Sequence, residues 1–179
     1  MPVPGRIAAA VEALPLTPSS DVLEIGGGPG VAAQLVLERL GAGGSYLSVD
    51  RSAVSESRTR QRCADTGSEA RWQVRRGAIE DVVTTLPSAA LDVVFAVNVN
   101  AFWTGDASAL TAELGRVLRP GGTLWLFFET PSGSVDGRVA DGCSRSLRGG
   151  GLGGVTGFTA APRLGGFTAS RGRQGITNR

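Results

Sequence analysis

Two carboxylates frame a run of glycines near the start of this 179-residue chain. Glu24 stands two residues before Gly26-Gly-Gly-Pro-Gly30, and Asp50 follows 20 residues after Gly30. Glycine reaches positive φ at no steric cost and lets a ligand lie against bare backbone. A carboxylate at the end of the next strand can accept both hydroxyls of a ribose, as it does in dinucleotide-binding folds. The loop itself departs from a diphosphate-binding pattern. The sixth position of G-x-G-x-x-G, counted from Gly26, is Val31 where Gly or Ala is wanted. Pro29 has no N–H to offer, and Glu24 has the wrong sign to sit near a diphosphate. A ligand with a positive centre and no phosphate suits Glu24 better.

Composition removes several chemistries. The chain has no histidine, so the commonest general base is absent. It has no lysine either, since all 18 basic residues are arginine, and lysine Schiff-base chemistry is excluded. Cys63 and Cys143 are isolated and without metal-ligand spacing; they are expected to be free thiols in a reducing cytoplasm. No metal site is expected. The longest strongly apolar run, Leu124 to Phe128, is too short to span a bilayer, and Ile7 to Leu14 is broken by Glu12, unlike a signal peptide. A cytoplasmic, GC-rich bacterial source is the expectation, with no membrane partner.

The elements that position these residues follow from apolar periodicity. Val22, Leu23 and Ile25 form a short buried strand, and the glycines turn it into a helix from 31 to 40 with Val31, Leu35 and Leu40 towards the sheet. Residues 46–50 make a second strand ending on Asp50, and Ser52 caps a polar helix to about Ala64. A third strand at 72–75, a short helix at 80–85 and a fourth strand, Leu91 to Val97, follow. A helix starting at Thr104 or Asp106 runs to about Leu118, with Leu110, Leu114, Val117 and Leu118 inward. Pro120-Gly-Gly122 then turns the chain into a fifth strand, Thr123 to Phe128. An amphipathic helix at 5–14 precedes them all. Alternating strands and helices predict a doubly wound, mostly parallel α/β sheet of the Rossmann-like kind.

Five motifs now stand in order: Glu24-Ile-Gly-Gly-Gly-Pro-Gly30, Val49-Asp50-Arg51, Gly77-Ala-Ile-Glu80, Asp92-Val-Val-Phe95 and Arg116-Val-Leu-Arg-Pro-Gly-Gly122. Over roughly residues 20–130 they resemble the class I S-adenosylmethionine-dependent methyltransferases, and Val97 to Trp103 looks like a small bacterial subgroup of them. The resemblance implies S-adenosylmethionine as cofactor and methyl transfer to a small-molecule acceptor. It implies that the backbone of Gly26, Gly27, Gly28 and Gly30 meets the methionine and ribose part. Glu24 would face the amino group and Asp50 the ribose hydroxyls, with Arg51 flanking the adenine. Ala78 and Ile79 would flank the adenine too, through backbone N–H; this family often has an aspartate at position 78, and here either Glu80 stands in for it or recognition is by backbone alone. Asn98 would close the methionine side, and Phe102 and Trp103 would emerge near the methyl position. No residue is assigned as a catalytic base.

The pattern stops after Pro131. Residues 1–137 hold 11 arginines and 15 acids, a balance of −4, whereas residues 138–179 hold 7 arginines and one acid, a balance of +6. The division expected is a cofactor-binding domain over 1–137 and a Gly/Arg-rich, disordered tail over 138–179. Nucleic-acid binding by that tail is not expected, because it lacks interleaved aromatics. Five strands are recognisable, and the family's terminal hairpin strands are not evident. The abrupt change near residues 137–142 fits a frameshifted or decayed C-terminus, which leaves a non-catalytic or truncated cofactor-binding protein as the alternative. An NAD-dependent oxidoreductase is the next.

Overall fold

The computed structural model of the chain describes residues 3–131 and 134–172. Its strands are β1 Asp21–Ile25, β2 Ser45–Asp50, β3 Arg71–Arg76, β4 Leu91–Val97, β5 Leu118–Glu129, β6 Gly153–Ala161 and β7 Leu164–Ser170. Its helices are α1 Gly5–Ala13, α2 Val31–Leu37, α3 Ala53–Asp65, α4 Ile79–Thr84, α5 Ala101–Thr104, α6 Ser108–Val117 and α7 Gly137–Gly149. The strands form one sheet in the order β3-β2-β1-β4-β5-β7-β6. The first five in that order run parallel, and β7 pairs antiparallel with both β5 and β6. The strand order reverses between β1 and β4, which opens a crevice at their carboxyl ends.

Alternation along each strand divides the core between the two faces of the sheet. Leu23, Val94, Ala96, Leu124, Leu126 and Phe167 pack under α4 to α7 through Val83, Phe102, Leu114 and Leu147. Val22, Tyr46, Val74, Phe95 and Phe127 pack under α1 to α3 through Val11, Val36, Leu37 and Cys63. In α2 the buried residues are Ala32, Ala33, Val36 and Leu37, whereas Val31 and Leu35 are only half-buried. This corrects the expected face at Val31 and Leu35, while Leu40 is buried as expected: small alanines let the helix lie close to the sheet, and Val36 and Leu37 fill the rest of its inner stripe. The helix expected from Thr104 or Asp106 to about Leu118 is α6, which begins at Ser108 where Asp106 Oδ1 accepts from Ser108 N (2.9 Å); the short α5 before it was not expected.

Two of the motifs serve the fold at the far end of the sheet. Arg119 pairs with both Asp21 and Asp92 at 2.7 Å, and Asp92 also accepts from Asp21 N. Arg116 donates to Leu86 O and Val83 O, which ties α6 to the end of α4.

Beyond Pro131 the structure departs from the sequence expectation. Residues 137–170 are not a disordered tail. They form α7 and the β6–β7 hairpin, completing the sheet at seven strands among the described residues, and the boundary at residue 138 falls inside a helix. The expected tail beyond Gly172 lies outside the described residues. The hairpin is held by backbone more than by side chains. Gly165 and Gly166 are buried, and a Cβ on Gly166 would overlap the Leu126 carbonyl oxygen. Phe158 covers one face and meets Trp125 and Phe127 edge-on, with ring centroids 5.2 and 5.3 Å away. Such aromatic contacts add to the area they bury. On α7, Cys143 and Leu147 are buried, and Gly142 admits the Trp103 backbone, which a Cβ there would meet at 2.7 Å. With β7 in place the edge of β5 is covered, so the neighbour expected to be missing beside β5 is present.

Candidate functional site

β1 carries its chain to the crevice, where the glycines let it turn. Gly26, Gly28 and Gly30 take φ of +74°, +53° and +78°, a region that other residues seldom adopt. Gly26 N donates to Val49 O (2.8 Å), which anchors the loop to β2. Thr59 of α3 donates to Gly28 O (3.0 Å), and a Cβ on Gly30 would come within 2.7 Å of Thr59 Cα. A Cβ on Gly26 would meet Val99 Cγ2 at 2.8 Å, and the φ of +74° would itself strain any other residue there.

Asp50 sits at the carboxyl end of β2 with both oxygens engaged once. Oδ2 accepts from Gly28 N (2.9 Å) and Oδ1 from Ser52 N (2.8 Å). Each sp² oxygen keeps one free lone pair. The carboxylate is therefore aimed by two backbone N–H groups while its second lone pairs stay available. Ser52 itself caps α3 by accepting from Ser55 N (3.2 Å).

A cavity of about 380 Å³ lies over these carboxyl ends. Gly26, Asp50, Arg51, Ile79 and Glu80 line it, all expected from the sequence. Gly77, Val99 and Ala101 line it too, and sequence reasoning passed over them. Their positions, directly after β3 and β4, were the available signal. Across the rim Arg51 and Glu80 pair at 3.1 Å, mostly exposed, so the arginine charge is met from within the protein.

The other expected residues stand elsewhere. Glu24 does not line the cavity. It lies on the opposite face of β1 from Ile25, 3% exposed beneath Gly27, and Tyr46 Oη donates to it. Burial pushes its carboxyl up to about 7, the Tyr46 bond opposes this, and the charge of Asp50 reinforces it. Gly27 covers Glu24 and Ser48, while Gly28 and Gly30 shape the loop behind the cavity wall. Ala78 precedes α4, and its carbonyl accepts from Asp81 N and Val82 N. The amide of Asn98 is turned away from the cavity: with φ +56°, its Oδ1 accepts from Glu129 N (2.8 Å) and ties β4 to β5. Phe102 is fully buried in the core, so it presents no ring to the cavity. Trp103 packs against the core under α7 and is half-buried.

Comparison with known proteins agrees with this geometry. A family model described as a methyltransferase domain matches residues 22–122. Solved structures of the same fold include a putative S-adenosylmethionine-dependent methyltransferase from Methanococcus maripaludis, at TM-score 0.75 and 15% identity over 96% of this chain and 86% of that one. Geranyl diphosphate methyltransferase in complex with S-adenosylmethionine superposes at TM-score 0.71 and 15% identity, over 93% and 84%. A cyclase, SpnF, does so at TM-score 0.74 and 16% identity, over 94% and 80%. At such identities the likeness establishes the fold, and one fold can host different chemistries. No curated protein matches the sequence.

Proposed function

The chain belongs to the methyltransferase-domain family, and on that premise we propose that it transfers the methyl group of S-adenosylmethionine to a small-molecule acceptor. The observation that carries this reading is Asp50, fixed by Gly28 N and Ser52 N at the edge of a cavity beside a glycine loop. Its two free lone pairs match a ribose diol. The residues present fit this cofactor. The cavity holds the carboxylates of Asp50 and Glu80 and one arginine, which Glu80 already pairs. No cation in its lining is left over for a phosphate. That balance suits a cationic ligand better than a diphosphate.

When bound, S-adenosylmethionine supplies an already activated methyl group on a sulfonium sulfur. The chain's own residues then have to bind, orient and exclude water. Asp50 would hold the ribose, Gly26 would give its bare backbone to the chain leading to the sulfur, and Ile79 and Val99 would provide apolar walls. Orientation alone can supply up to about 7–11 kcal/mol of a bimolecular barrier. This suits a site whose lining offers no histidine, lysine or cysteine. An acceptor held as a neutral amine or already deprotonated needs no base from the protein.

Calorimetric titration with S-adenosylhomocysteine tests the assignment. Micromolar binding is expected, weakened at least about tenfold in Asp50→Ala, since hydrogen bonds to a charged group contribute about 1.5–3 kcal/mol. Binding unaffected by that substitution, or tight stoichiometric binding of NAD instead, refutes it. Screening acceptors for release of S-adenosylhomocysteine then separates a catalyst from a protein that only binds the cofactor.

A further inference from the structure

Among the described residues Glu24 is the one buried side chain of the Asp, Glu or Arg kind, and the glycine loop is its roof. A Cβ on Gly27 would lie 3.3 Å from Glu24 Oε2. From β2, Tyr46 Oη donates to Glu24, and burial raises the tyrosine well above its ordinary range, so it remains a neutral donor. Ser48, the register partner of Glu24, has a buried hydroxyl without a hydrogen-bond partner. From α3, the Cys63 thiol shares the space, and burial pushes it up to about 11, which keeps it neutral. Arg60 of α3 is committed to Glu56 and Val74 O. α2 carries no ionisable side chain. At the end of β2, Asp50 opposes a second negative charge. None of the ion pairs among the described residues includes Glu24.

A carboxyl buried with one neutral donor, a nearby carboxylate and no counter-ion favours its protonated form. A positive charge brought to the other side of the loop supplies the missing counter-ion. We propose that Glu24 is a proton-exchanging counter-charge to the cofactor, losing its proton to solvent when the sulfonium form is bound and regaining one when the uncharged product takes its place. The inference rests on the S-adenosylmethionine reading of the cavity. The charges balance: binding adds one positive charge and releases one proton; methyl transfer breaks the sulfur–methyl bond and carries that charge to the acceptor, and one proton returns to Glu24 once the methylated acceptor, or the proton it sheds, has left. Affinity for S-adenosylmethionine therefore rises with pH. The rise reaches about tenfold for each pH unit by which binding lowers the proton affinity of Glu24. Affinity for S-adenosylhomocysteine rises less, so product competes less well as pH increases.

Calorimetry of the full chain with each of the two ligands, in buffers of different ionisation enthalpy from about pH 6 to about pH 8, reads the protons exchanged. Near pH 7 the wild type is expected to release up to about half a proton more with S-adenosylmethionine than with S-adenosylhomocysteine. Glu24→Gln should abolish the part owed to the protein, while proton exchange by the ligands' own amino groups is common to both proteins and cancels. Tyr46→Phe removes the one hydrogen bond favouring the charged carboxyl and should move the release to higher pH, which decides the matter if Glu24→Gln does not fold. Equal release by wild type and Glu24→Gln, or a profile unmoved by Tyr46→Phe, overturns the inference and leaves the cofactor reading standing. Failure of the folded wild type to bind either ligand overturns both.

Discussion

Glu24→Gln should stabilise the ligand-free protein, and increasingly so as pH rises. Gln keeps the shape of the side chain and an oxygen to accept from Tyr46 Oη, and removes only the ability to ionise. In the unfolded chain the carboxyl titrates near 4.5; in the folded protein burial raises it to about 7. The folded-state value is the higher one, so the group's contribution is fully present below 4.5 and is lost as pH rises through about 7. At roughly 1.4 kcal/mol per pH unit, the interval from 4.5 to about 7 amounts to about 3 kcal/mol. Glu24→Gln has no such slope. The stability gap between variant and wild type should therefore grow by about 3 kcal/mol from about pH 4 to about pH 8. For a chain of this length that is roughly 6–12 °C in the unfolding midpoint. Urea denaturation at a series of pH values measures it. A gap that stays constant with pH, or that shrinks as pH rises, would refute the reasoning, because it would mean that the buried carboxyl meets a compensating charge.

Further substitutions probe other parts of the fold. Gly166→Ala puts a methyl group into the Leu126 carbonyl oxygen; a loss of at least about 2 kcal/mol is expected by urea denaturation, with earlier proteolytic cleavage of the hairpin. Gly27→Ala drives a methyl group into Ser48 Oγ and should cost about 1–3 kcal/mol of stability, together with binding of S-adenosylhomocysteine, read by calorimetry. Arg51→Ala breaks an exposed pair with Glu80 and should change stability by less than about 1 kcal/mol.

Legibility in the sequence tracked how much of the structure is carried by side chains. β4 was plain because Val93 to Val97 is a continuous apolar run, with Val93 to Ala96 buried on both faces. Asp50 was plain because its distance from the glycines is set by one helix and one strand. The hairpin was hidden because two of its five buried residues have no side chain: Gly165 and Gly166 leave no hydropathy signal, and Phe158 and Phe167 stand isolated among Gly, Thr and Ala. α7 was hidden similarly, since Gly142 and Ser146 occupy its inner face beside Cys143 and Leu147. In the site, Val99 and Ala101 could not be singled out because an apolar cavity wall and a core use the same amino acids. The engagement of Asn98 with Glu129 could not be read at all, as it depends on a left-handed backbone that a single asparagine does not announce.

The position of β7 bears on how the chain is made. The strand that follows β6 in sequence lies inside it in the sheet, and β6 pairs with β7 alone. During synthesis Thr123 to Phe128, an uncharged and strongly apolar run, leaves the ribosome long before Leu164 to Ser170, the segment that pairs with it. Until then the nascent chain exposes one open strand edge of a kind that favours intermolecular pairing. Slow elongation through residues 130–163, or a shortage of chaperones during it, should therefore lower the soluble yield more than the same delay earlier in the chain.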